Sequence, residues 1–172
     1  MNRLKRSLVW LRRLMHSRGF GIQSPADYRF VRYVINERWP YHVYDDVGTH
    51  DSSMRRKLGR LYLRLANERQ PLTVIDRLGF MDYVCAGCRR ARRVEQAAPV
   101  EMALLPIDCG YEPLFAQCNE QSLVVFQDIY RHPRLWHQIE HDERVTVTFD
   151  LYYCGIVLFD RRRSPHNYIV NF

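Results

Sequence analysis

Acids placed at the ends of apolar runs are the first chemistry this chain offers. Ser122–Tyr130 reads Ser-Leu-Val-Val-Phe-Gln-Asp-Ile-Tyr, an apolar run of strand length that stops at Gln127-Asp128 and passes into a helix-like segment. Thr73–Asp76 and Met102–Asp108 repeat the pattern. A buried strand that ends on a carboxylate and turns into a helix sets the acid at the carboxyl edge of a sheet, where α/β proteins bind and react. Strands of this kind imply one sheet with one functional edge.

Other spacings offer competing chemistry. Cys85-Ala86-Gly87-Cys88 has the spacing of a zinc knuckle or a redox pair. Cys109 and Cys118 do not form a matching second pair, so the cysteines read as structural. His137 and His141 lie four apart and share a helical face, which suits a metal. The segment lacks the glutamate of a zinc protease motif and reads as a solvated face. Asp45-Asp46 and Thr49-His50-Asp51 sit in a polar connection, where solvation is the simpler reading than metal binding.

The elements that must position these groups follow from periodicity. Residues 3–17 read as an amphipathic helix, with Leu4, Leu8, Leu11, Leu14 and Met15 at three- and four-residue spacing among basic residues. Such a helix packs on its own domain or lies on an anionic membrane. Gly19-Phe20-Gly21 breaks it. A second helix is expected from Pro25 to about Arg38 with Tyr28, Val31, Val34 and Ile35 inward, ended before Pro40. A third, capped by Ser52 or Ser53, runs to Arg69 and buries Leu58, Leu61, Tyr62 and Leu65.

Strands are then expected at 73–76, 92–95, 102–108 and 122–128, with helices to about Arg90, at 114–119 and at 133–141. The remainder is β: Val145–Leu151 alternates at period two, and Gly155–Phe159 is close enough to pair with it as a hairpin. Asn167–Phe172 offers a last edge strand. The division is an N-terminal helical region, 1–70, packed on an α/β core, 71–172, in one domain.

A chain of 172 residues, 47% hydrophobic and 26% charged, buries a core and is not disordered. The formal charge of +7 favours anionic partners, a nucleic acid or a membrane surface. Arg89–Arg93 beside Tyr83, and Arg161–Arg163 before Tyr168, fall in no recognised nucleic-acid module. No apolar run reaches the ~20 residues that span a bilayer. Arg12 and Arg13 interrupt what would be the core of a signal peptide, and five cysteines suit reduced thiols, so a cytoplasmic location is expected.

Taken in order, these segments resemble small bacterial class I S-adenosylmethionine-dependent methyltransferase-like proteins. The resemblance rests on Gly21-Ile22-Gln23-Ser24-Pro25, Leu58-Gly59-Arg60-Leu61, Pro106-Ile107-Asp108-Cys109, Phe126-Gln127-Asp128-Ile129-Tyr130 and, most closely, Val145–Phe159. It implies a doubly wound, Rossmann-like sheet with an antiparallel hairpin at one edge. It also implies S-adenosylmethionine over the first strands, with Asp76 at the end of strand one, Gly79 in the cofactor loop and Glu95 at the ribose. Asp108 and Asp128 would orient an unidentified methyl acceptor.

Departures from the family pattern are equally specific. The loop after Asp76 has only Gly79 among Arg77, Leu78, Phe80 and Met81, where backbone should approach the ligand. Six residues separate Glu95 from Met102, where the family carries a helix, a strand and another helix. Gln127 replaces an acid that related enzymes use to hold a divalent metal, so no metal site is expected. Two readings stand open: methyl transfer to an unknown acceptor, or a non-catalytic binding protein on a degenerate scaffold with a basic surface. A sheet shortened by a strand also exposes an edge that a second copy could pair.

Overall fold

The computed structural model describes residues 3–16 and 20–172, with side chains inside the first helix described from Ser7 onward. The turn expected at Gly19 and the last residue of the first helix, Ser17, lie outside the described residues.

Seven strands form one mixed sheet in the order β2-β1-β3-β4-β6-β5-β7. They are β1 (Thr73–Asp76), β2 (Arg92–Arg93), β3 (Val100–Pro106), β4 (Cys118–Gln127), β5 (Val147–Asp150), β6 (Cys154–Leu158) and β7 (His166–Ile169). β1 pairs in parallel with both β2 and β3, and β3 with β4. The chain therefore leaves β1 toward one side to make β2 and returns to its other side to make β3, a reversal that opens a crevice at the carboxyl ends. β6 runs antiparallel to both neighbours, and β7 is parallel to β5. The hairpin and edge strand expected from Val145 onward are present.

Helices cover both faces. Period-two alternation sends Val74, Met102, Leu104, Leu123, Val125 and Ile156 to one face, against helices α2 (Pro25–Phe30), α4 (Ser53–Arg69) and α5 (Met81–Gly87). Ile75, Ala103, Leu105, Val124, Phe126 and Val157 face the other way, toward α6 (Glu112–Phe115) and α7 (Pro133–Glu140). Trp136 of α7 lies flat enough on β6 that a Cβ at Gly155 would stand 2.2 Å from its ring, so only glycine fits there.

The N-terminal helices differ from expectation in instructive ways. Helix α1 (Arg3–Arg12) ends early and gives way to a 3-10 turn, Leu14–His16. Helix α2 starts as expected, with Pro25 in its first turn and Ser24 Oγ accepting from Asp27 N–H at 3.3 Å. It then widens into a π turn, Val31–Ile35, closed by Asn36 N–H to Val31 O at 2.9 Å, and stops short of Arg38. Its buried stripe is Asp27, Phe30, Val31, Val34 and Ile35, while Tyr28 is exposed. The inward place expected for Tyr28 goes to an acid because Asp27 is neutralised by Arg163 at 2.5 Å and bonded by Tyr168 at 3.1 Å. Arg64 of α4 then caps the π turn, donating to Val34 O and Ile35 O at 2.6 and 2.8 Å.

The polar connection after α2 holds a short helix, α3 (Val43–Asp46). Residues expected to extend α6 to Asn119 instead begin β4, which pairs with β3 from Cys118. No helix among the described residues is long and apolar enough to cross a membrane.

Candidate functional site

The carboxyl edge carries an acid at or just beyond each of β1 to β5: Asp76, Glu95, Asp108, Asp128 and Asp150. These acids do not converge. Each meets a different local environment, and those environments decide what the edge can do.

Asp76 is 2% exposed and fully engaged. One carboxylate oxygen accepts from Leu78 N–H (2.9 Å) and Gly79 N–H (3.0 Å), the other from Phe80 N–H (2.6 Å). The loop is thus wound around the side chain at its own base, and Gly79 supplies the left-handed backbone (φ +73°) that the winding needs. Backbone N–H groups that could have met a ligand are turned onto Asp76 instead.

Outside the loop lies Arg55 from α4. Its guanidinium donates to the carbonyls of Leu78 (3.5 Å) and Gly79, and rests 4.1 Å from the centre of the Phe80 ring. Asp51 orients it through Nε at 3.1 Å and also accepts from the Tyr83 hydroxyl at 2.8 Å. Beneath, Tyr62 packs edge-on to Phe80 at 4.8 Å and donates to Gln127 Oε1 at 3.3 Å. Burial, with the neighbouring Cys154 thiol, holds the Tyr62 hydroxyl well above its usual range, so it stays neutral. The crevice between β1 and β3 is filled by this layer of aromatic rings under one arginine.

Glu95 is exposed, with its nearest charge on Arg93 at 3.9 Å. It borders a groove of about 520 Å³ over Ile75 and Val100, on the face that carries α6, and neither Asp76 nor Gly79 lines that groove. The residues expected to grip one cofactor therefore lie apart. Asp108 is exposed in the turn after β3. Asp128 has a left-handed backbone (φ +63°) and approaches Arg131 at 3.9 Å.

The open part of the edge lies at β5 and β6. Asp150, a residue without an expected role, is bridged by both terminal nitrogens of Arg13 at 2.9 and 3.0 Å. Tyr152, also left-handed (φ +71°), stacks on Tyr130 at 5.0 Å. Arg13 and Tyr152 border a cavity of about 480 Å³ that Lys57 and Tyr153 also line. It shares Trp10, Lys57, Asn171 and Phe172 with a larger one of about 760 Å³ between α1 and α4. Among the residues lining the larger cavity, Arg56, Arg60 and Asn36 each carry a buried nitrogen without a hydrogen-bond partner among the described residues, while Arg56 Nη2 donates to Thr49 O and Asp51 O at 3.4 and 3.1 Å. The basic residues around this hollow, Arg38, Arg56, Lys57, Arg60 and Arg64, suit an anionic group.

The remaining motifs resolve locally. Cys88 is buried and donates to Pro71 O at 3.4 Å, Cys85 points to Ala91 O, and all five cysteines are free thiols. Asp51 of the Thr-His-Asp stretch serves Arg55 and Tyr83. His137 and His141 have rings 4.1 Å apart, and Glu140 adds a carboxylate that the sequence reading had not placed beside them. The His141 Nδ1–H bond to His137 O at 2.8 Å closes the end of α7. Of the basic clusters, Arg13, Arg55 and Arg163 are spent on Asp150, Asp51 and Asp27, so charge in the sequence is not all charge at the surface.

No family model matches the chain, and neither a curated protein nor a solved structure matches it. The molecule is an α/β protein with a mixed sheet, a closed first loop and a basic hollow at the far end of the edge.

Proposed function

We propose that the chain is a non-catalytic binding protein on a class I methyltransferase-like scaffold, with its donor site closed and a basic hollow for an anionic partner. The scaffold reading is supported by the reversal of the chain at β1 and the antiparallel β5–β6 pair, while the direct passage from β2 to β3 departs from it. The closed donor site is carried by one observation. Asp76 accepts three N–H groups of its own loop while Arg55 covers the loop's carbonyls. A cofactor that binds through loop backbone would have to displace both.

A second reading keeps catalysis, and the exposed Asp108 with Asp128 at the next strand end is what favours it. Methyl transfer is an in-line displacement at the sulfonium carbon, driven by positioning. These acids would then orient the acceptor. Calorimetric titration with S-adenosylmethionine and S-adenosylhomocysteine separates the two. The binding reading expects no heat and no thermal shift at millimolar ligand. Micromolar binding, weakened by Glu95→Ala, would overturn it in favour of the enzyme.

A further inference from the structure

Helices on globular domains turn their apolar stripe inward. Helix α1 does the reverse. Polar ties hold it and the turn that follows to the body: the Arg13 fork on Asp150, Asn171 Nδ2 donating to Trp10 O at 3.2 Å, and Asn171 N–H to His16 O at 2.9 Å. Meanwhile Leu8 is 56% exposed, Leu11 61% and Met15 69%. At about 100° per residue Leu8 and Leu11 fall about 60° apart on one side of α1, and Met15 is exposed in the 3-10 turn that follows. Trp10, about 100° round the helix from Leu11, and Leu14 of the turn that follows are half exposed and also line the basic hollow. Arg12 is exposed too, and Phe20, just beyond the helix, is 72% exposed.

We propose that α1 is an interfacial helix that docks the domain on an anionic phospholipid bilayer. The Leu8–Leu11–Met15 stripe enters the acyl boundary, and the hollow with Lys57, Arg56 and Arg60 takes headgroup phosphates. Charge complementarity selects this occupant. A chain of formal charge +7 repels a second copy of itself across a face flanked by the same basic residues, whereas an anionic surface attracts it. Nucleic acid would engage the arginines but leave the leucines in water. A half-exposed tryptophan beside the basic hollow is the residue that favours the headgroup level. The inference names the partner class of the binding reading and rests on that reading for its meaning. Vesicle binding reports on α1 and cofactor titration on the β1 loop, so either can fail alone.

The test is co-sedimentation of the full chain with vesicles of phosphatidylcholine alone or with added phosphatidylserine. The chain should pellet with the anionic vesicles and not the neutral ones, and release as salt rises. Leu8→Glu with Leu11→Glu should weaken binding at least about tenfold, and Arg12→Glu should weaken it too. Circular dichroism should stay unchanged, since these side chains are exposed. Failure to pellet with anionic vesicles would overturn the proposal, as would pelleting insensitive to the double substitution. A dimer in sedimentation equilibrium that the double substitution dissociates would overturn it in favour of a second copy.

Discussion

Replacing Asp76 by alanine tests the closed loop directly. The carboxylate accepts three backbone N–H groups, of which only Phe80 N–H is fully buried. A buried hydrogen bond to a charged group contributes about 1.5–3 kcal/mol, and leaving its donor unpaired costs a similar amount. The Leu78 and Gly79 donors are part-buried and can turn to water, so each adds about 0.5 kcal/mol. The expected loss is about 3 kcal/mol in all, read as a lower urea midpoint at unchanged slope. Asp76→Asn keeps one acceptor oxygen but aims an amide at the remaining donors, and should recover less than half. A loss under about 0.5 kcal/mol, the level of an ordinary surface substitution, would refute the clamp. The same arithmetic shows why Asp76→Ala is a poor control for cofactor binding: it would unsettle the loop whether or not a ligand sits there.

Further predictions test the supports around the edge. Arg163→Ala leaves Asp27, 1% exposed, with the Tyr168 hydroxyl as its carboxylate's one side-chain partner among the described residues, and should cost about 3–5 kcal/mol by denaturant unfolding; a loss under about 1 kcal/mol would refute the pairing. Gly155→Ala forces a methyl into the Trp136 ring and should cost at least about 2 kcal/mol, with a changed near-ultraviolet spectrum reporting the displaced indole. Tyr41, Tyr83 and Tyr168 have hydroxyls pushed up to about 12, first by burial and then by Glu37, Asp51 and Asp27 in turn. The folded state holds the neutral phenol more tightly than the unfolded chain does, so this contribution is complete below pH ~10 and is lost as pH rises through about 12. Melting temperature should fall over that window and fall less in Tyr83→Phe; a flat profile would count against it.

Legibility in the sequence tracked the range of the interaction. Strands β1, β3 and β4 were readable because an apolar run ending in a polar residue is a local pattern. The β5–β6 pair was readable because alternation and a short connection are local too. Tyr28 was misread as inward because the place falls to Asp27, whose burial depends on Arg163, 136 positions away. The closing of the β1 loop divides in the same way. Asp76 two to four positions before its donors is a short-range signal, whereas Arg55 arrives from 24 positions upstream and leaves no mark near the loop. Helix α1 shows the limit of periodicity. The spacing of Leu8, Leu11 and Met15 defines a stripe but not which way it faces, and Arg13 with Asp150 decides that.

The polar ties of α1 also bear on the order in which the molecule can be assembled. Trp10 is held by Asn171, 161 positions later, and Arg13 by Asp150, 137 positions later. At roughly 5–20 residues per second, α1 leaves the ribosome roughly 7–30 seconds before its anchors exist. During that interval a leucine-lined, arginine-flanked segment is free to meet whatever surface is nearest. The domain would then complete itself behind a helix that has already found its place, so for this chain location can precede folding.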